Sequence, residues 1–280
     1  MPRHFQIVDV FNDQALSGNP LVVVFDADDM TTETMQQITR WLNLSETAFL
    51  CAPTHPGADY RVRIFTHDRE MPFAGHPTLG TCHAWLEAGG KPRNGDEVIQ
   101  ECGVGLVTIR RDGTTLSFAA PSLVRSGPVE EDKLDEIAQF LRIDRADIVD
   151  AQWADNGPGW IAVLLASAEK VLALEPAQHH HDRIDLGVVG PYPADNPLAV
   201  ELRAFFTNHY GNVLEDPVTG SLNASVAQWL LASNRATAPY VAAQGSRIGH
   251  AGRIYIDCGK DKQVWVGGKT TTLFSGTCSI

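Results

Sequence analysis

Apolar and polar positions along this chain switch between a period of two and a period near 3.6, and the switches mark out its elements. The opening stretch to Phe11 alternates as a strand does, a turn follows at Ser17-Gly18-Asn19-Pro20, and Leu21 to Phe25 is a β-branched run suited to a buried strand. Met35, Ile38 and Leu42 then recur at helical spacing after Thr31, with Glu33 in the first turn, which predicts an amphipathic helix over 32–42. Strands are expected at Ser45 to Cys51 and at Tyr60 to Phe65, where Tyr60, Val62 and Ile64 alternate with Arg61 and Arg63. Pro77 suits a first helical position; Leu79, Cys82 and Leu86 share a face of that helix, and Gly89-Gly90 supplies its stop. Further strands are expected near 97–102, 104–111 and 114–119.

The same plan recurs downstream. Strands are expected near 159–167 and 199–207, a helix from Ser221 to about Ala232, and closing strands near 253–258, 263–267 and 271–276. Arg63-Ile-Phe-Thr leads to Glu70 and Gly75, and Arg203-Ala-Phe-Phe-Thr leads to Glu215 and Gly220, so a glutamate stands five residues before a glycine in both halves. Both helices that follow are apolar or small nearly all round, the pattern of an enclosed helix. The expected fold is therefore α+β, with two pseudo-symmetric lobes, each a β-barrel-like sheet wrapped around a central helix. The polar stretch from Pro121 to Pro128 sets the boundary, giving lobes over 1–121 and 122–280 with a small-molecule cleft between them. One more helix, about 131–141, reads as peripheral. A doubly wound parallel sheet needs more helices than the pattern supplies.

Charge narrows the partners. With 34 acidic against 22 basic side chains the formal charge is −12, without the clustered Lys and Arg that a nucleic-acid surface needs. The longest apolar runs fall far below a membrane span and no targeting segment is visible. Five widely spaced cysteines without a CxxC pair read as reduced thiols of a cytoplasmic protein.

Candidate chemistry gathers at the repeated helix starts. Gly75-His76 and Gly220-Ser221 each begin a helix whose first N–H groups lack partners, so each is either an anion site or an ordinary capped helix. Glu46 lies in the apolar frame Asn43-Leu-Ser-Glu46-Thr-Ala-Phe, where burial raises a carboxyl pKa toward useful acid/base values, although a structural acceptor is the plainer role. Asp216 precedes the second helix, and a pairing with His76 would fix the imidazole tautomer. His179-His180-His181-Asp182 does not form a tetrahedral set, and no metal is expected. Cys102-Gly103-Val104-Gly105 lacks the rest of a dinucleotide fingerprint, and no Gly-x-Ser-x-Gly elbow occurs.

These motifs, Ser17-Gly18-Asn19-Pro20, Leu44-Ser-Glu46-Thr-Ala-Phe, Phe65-Thr66 leading to Gly75-His76-Pro77-Thr78-Leu79-Gly80, Glu215-Asp216-Pro217-Val218-Thr219-Gly220-Ser221 and Gln244-Gly245, resemble the PhzF-like phenazine-biosynthesis proteins, which share the diaminopimelate epimerase fold. The resemblance implies a cofactor-independent isomerase acting on a small carboxylate such as trans-2,3-dihydro-3-hydroxyanthranilate, and a homodimer. It implies Glu46 as acid/base, His76 and Asp216 as partners that orient or polarise the substrate, and Gly75, Gly220 and Ser221 as binders. The fold's epimerases and racemases use two cysteines just before the paired glycines; Ala74 and Thr219 stand there instead. An amino-acid epimerase and a non-catalytic small-acid binding protein are the alternatives. Gly249-His250-Ala251-Gly252 departs from the family's Gly-Arg-Pro-Gly, which removes an arginine.

Overall fold

Alternating side chains at the N terminus form β1 (Pro2–Asn12), which returns as the antiparallel β2 (Asn19–Val24) in the computed structural model, describing residues 2–280. Then follow α1 (Thr32–Leu42), β3 (Thr47–Cys51), β4 (Tyr60–Phe65), the short β5 (Glu70–Met71), α2 (Gly75–Glu87), β6 (Glu97–Cys102), β7 (Gly105–Asp112) and β8 (Thr115–Ala119). Next come β9 (Arg125–Pro128), α3 (Glu131–Leu141), β10 (Ile148–Asp155), β11 (Ile161–Leu165), α4 (Ala168–Leu172), β12 (Asp185–Pro191), β13 (Val200–Thr207) and β14 (Val213–Asp216). The chain closes with α5 (Gly220–Ala232), β15 (Tyr240–Gln244), β16 (Gly252–Cys258) and β17 (Val264–Ser279).

Two compact units result: residues up to Ala119 together with Gly267–Ile280, and Ala120–Val266. The expected boundary at 121 and 122 kept the C-terminal stretch in the second lobe. It belongs to the first unit, because β17 runs antiparallel along β1 from Pro2↔Ser279 to Asn12↔Lys269. The two closing strands expected at 263–267 and 271–276 are one continuous strand.

In the first unit the strands close on themselves in the order β1, β2, β3, β4, β6, β7, β8, β17, with β17 pairing back onto β1. Helix α2 packs against β1, β2, β3, β4, β6 and β8, which places it inside the barrel. That is why its residues from Gly75 to Cys82 are all buried and it shows no polar face. Gly80 brings the helix backbone against the wall: a Cβ there would lie 2.5 Å from Leu21 Cδ2 and 2.9 Å from Val10 Cγ2. On the other face of the sheet, Met35 of α1 packs with Val22, Val24, Phe49 and Phe65. With helices on both faces, β2 and β3 lose the polar half of their alternation and become continuous apolar runs.

The second unit repeats the order. A hairpin (β10, β11), a helix, a strand parallel to the hairpin's second arm (β12), an antiparallel return (β13), a short strand (β14), the buried helix α5 and a strand parallel to β13 (β15) match β1, β2, α1, β3, β4, β5, α2 and β6 in turn. Each parallel pair follows from the helix that crosses between its strands. Here α3, read from the sequence as peripheral, buries Leu134, Ile137 and Leu141 against Ile161, Val163 and Leu186. The pattern did not reveal β5, β9, β10, β12, β14, β15 or α4. The fold is α+β of the diaminopimelate epimerase-like kind, and no helix of the described residues is long and apolar enough to cross a membrane.

Candidate active site

Asp9, 3% exposed on β1, gathers the backbone of the turn after it. Its carboxylate accepts from Gly18 N at 2.9 Å and Ser17 N at 3.2 Å, while Ser17 Oγ accepts from Asp13 N and Gln14 N. Gly18 is required, since a Cβ would stand 2.2 Å from Val10 O. The turn delivers Asn19 and Pro20 to His76, the second residue of α2. Asn19 Nδ2 lies 3.4 Å from His76 Nδ1, and the Pro20 carbonyl accepts a hydrogen bond from the ring.

Glu46 stands just before β3 rather than within the expected strand from Ser45, its side chain 18% exposed, with Oε2 3.5 Å from His76 Nδ1. His76 is buried, not a surface histidine, and burial drives its pKa down to about 3, with the Pro20 hydrogen bond opposing. The imidazole is therefore neutral, and the Glu46 contact is not an ion pair. Nε2 has no hydrogen-bond partner among the described residues.

One expected result follows. The unfolded chain protonates His76 near the ordinary 6.5 and the folded chain only near 3, so the stability it contributes is full above 6.5 and is lost as pH falls from 6.5 to 3. The total is on the order of 5 kcal/mol. His76→Gln should flatten this part of the stability-against-pH curve, and an imidazole resonance of His76 that titrates near 6.5 would contradict the assignment.

In the second unit Asp216 ends β14 at 8% exposure and accepts from Thr219 Oγ1 at 2.6 Å. Thr219 is the N-cap residue of α5, and its hydroxyl is spent on Asp216 rather than on the helix. Ala74, the N-cap of α2, has no side-chain acceptor to offer. Neither helix start carries a side-chain cap, so neither is the ordinary capped helix of the plain reading. Gln244 braces the loop: Nε2 donates to Asp216 O at 3.1 Å and Thr219 Oγ1 at 2.9 Å, and Oε1 accepts from Thr219 N and Asn223 Nδ2. Ser221 Oγ lies 3.1 Å from Trp160 Nε1 at 7% exposure of the residue.

The repeated Arg and Glu, noted in the sequence only as spacing, are ion-pair partners across the hairpin before each helix. Arg203 Nε and Nη2 meet Glu215 Oε1 and Oε2 at 2.9 and 2.7 Å, and Arg63 meets Glu70 in the same fork at 2.8 and 2.6 Å. Each guanidinium lies over the phenylalanine two residues on, 4.9 Å from the Phe205 ring centre and 5.2 Å from that of Phe65. The strand register sets the pairing, because Phe65 stands opposite Glu70 and Phe205 opposite Glu215.

Cysteine chemistry finds no support. All five thiols are free; Cys82, on α2, is 0% exposed with its pKa pushed up to about 12 by burial. Among the described residues no group of His, Cys, Asp and Glu could hold a metal ion, the His179 to His181 tract included.

Residues 8–276 match the family model described as Phenazine biosynthesis-like protein, PhzC-PhzF. The chain is 34% identical to Antisense-enhancing sequence 1 of Schizosaccharomyces pombe over all of both chains. It is 33% identical to the trans-2,3-dihydro-3-hydroxyanthranilate isomerase of Pseudomonas aeruginosa over 90% of this chain and 89% of that one. A crystal structure of the Bacillus anthracis phenazine biosynthesis protein of the PhzF family superposes with a TM-score of 0.81 over the whole of both chains at 20% identity, a likeness of fold. The chain belongs to the phenazine biosynthesis-like protein family and is an isomerase.

Proposed function

We propose that this isomerase shifts a proton within one small carboxylate substrate, with Glu46 as the acid/base. The observation that carries the reading is the Glu46 carboxylate 3.5 Å from the ring of a buried, neutral His76, while the residues just before the two helix-start glycines, Ala74 and Thr219, have no acid/base group. Inverting a carbon takes a base on one face and an acid on the other. A single carboxylate instead removes a proton from one carbon and returns it to another on the same face, which moves a double bond and loses no atoms. His76, Asp216 and the donors of Gly75, Gly220 and Ser221 orient and bind the substrate.

For substrate class, relatives named trans-2,3-dihydro-3-hydroxyanthranilate isomerase favour a ring carboxylate of that kind. Incubating the protein with that compound in D2O tests the reading. Isomerised product carrying at most one solvent deuterium per turnover is expected, together with loss of exchange in Glu46→Gln. Undiminished exchange in Glu46→Gln would sink it.

A further inference from the structure

A residue at the start of the second hairpin strand of each unit meets the second residue of that unit's central helix: Asn19, first in β2, meets His76, and Trp160, just before β11, meets Ser221. In both units an aspartate on the preceding strand gathers the turn. Asp155 Oδ1 accepts from Gly157 N at 2.7 Å and Gly159 N at 2.8 Å, as Asp9 does for Ser17 and Gly18. The same turn sends Asn156 Nδ2 to the carbonyl of Ser221 at 2.8 Å, so Ser221 is held from the turn at both its backbone and its side chain.

The chemistry of the contact has one direction. An indole N–H only donates, so Ser221 Oγ must accept from Trp160, 5% exposed. Trp160 is the only hydrogen-bond partner of Ser221 Oγ among the described residues. The hydroxyl hydrogen is therefore turned away from the indole. We propose that Trp160 is a positioning residue that keeps Ser221 a hydrogen-bond donor, so that the start of α5 presents donors alone and selects a carboxylate over a neutral carboxamide. An amide places its own N–H₂ against one of those donors, whereas both oxygens of a carboxylate accept. The inference rests on the reading of Ser221 as a carboxylate binder.

Binding of 2-aminobenzoate and 2-aminobenzamide, measured by calorimetry on the full chain, tests it. The unchanged protein should prefer the carboxylate; Trp160→Phe, which frees the hydroxyl to turn, should cut that preference by about 10- to 100-fold. Ser221→Ala should do the same, and the double variant should lose no more than either single one. A preference kept in Trp160→Phe but lost in Ser221→Ala overturns the role of Trp160 and leaves the carboxylate reading standing. Equal binding of both probes, binding of neither, or a preference unaffected by Ser221→Ala overturns both. Should Trp160→Phe fail to fold, the Trp160 indole N–H resonance decides: Ser221→Ala should shift it and speed its exchange with solvent, and an unmoved resonance overturns the proposal.

Discussion

Glu46→Gln should lower kcat by about 10²- to 10⁴-fold, the contribution of one positioned proton-transfer group, with little change in KM. Glutamine keeps the length and shape of the side chain and still offers an oxygen toward His76 Nδ1, 3.5 Å from Oε2 in the native protein. What it cannot do is take a proton and give it back. Steady-state turnover of trans-2,3-dihydro-3-hydroxyanthranilate measures the loss, and an unchanged melting temperature shows that the fold is intact. Glu46→Asp draws the carboxylate back by one methylene and should fall between the two, because proton transfer depends on reach as well as charge. A rate within tenfold of the native one in Glu46→Gln would mean that another group moves the proton.

Arg203→Met should cost about 3–5 kcal/mol of stability, whereas Arg63→Met should cost about 0–1 kcal/mol, although both break the same fork. The difference is burial. The Arg203 and Glu215 side chains are 6% and 10% exposed, against 23% and 38% for Arg63 and Glu70. Removing Arg203 leaves the Glu215 carboxylate in a poorly solvated place, and it also takes the donor from Leu174 O and Val171 O at the end of α4. Adding Glu215→Leu to Arg203→Met should recover much of the loss, since the buried charge goes too. Urea unfolding midpoints of the variants test this, and equal losses for Arg203→Met and Arg63→Met would refute the burial argument. Because Glu215 adjoins Asp216, Arg203→Met should also weaken activity more than Arg63→Met does.

Local pattern was enough for the elements whose neighbours in sequence are also their neighbours in space. The period of α1, the enclosed character of α2 and α5, and the alternation of β4 could all be read directly, as could the repeat that marks two units. Pro77 shows the margin of such reading: it lies in the first turn of α2 but third in the helix, after Gly75 and His76. Ser17-Gly18-Asn19-Pro20 could be read as a turn, but its task could not, because Asp9 and His76 reach it only in the folded chain. Strands β12 and β15 escaped because two glycines in one and two alanines in the other weaken the β-branched, alternating signal by which a strand is read.

By itself, the sequence determined the α+β class, the twofold repeat, the two helix-start glycines and the residues Glu46, His76, Asp216 and Ser221 as candidates, since these depend on residue type and spacing. Tertiary structure decided the rest. The last strand joins the first unit because β17 finds β1, more than two hundred residues away in sequence. His76 is neutral because the barrel buries it, and Ser221 Oγ accepts a hydrogen bond because the fold brings the Trp160 indole against it. Charge state and hydrogen-bond direction are properties of an environment, and the chain creates that environment only when distant segments pack together.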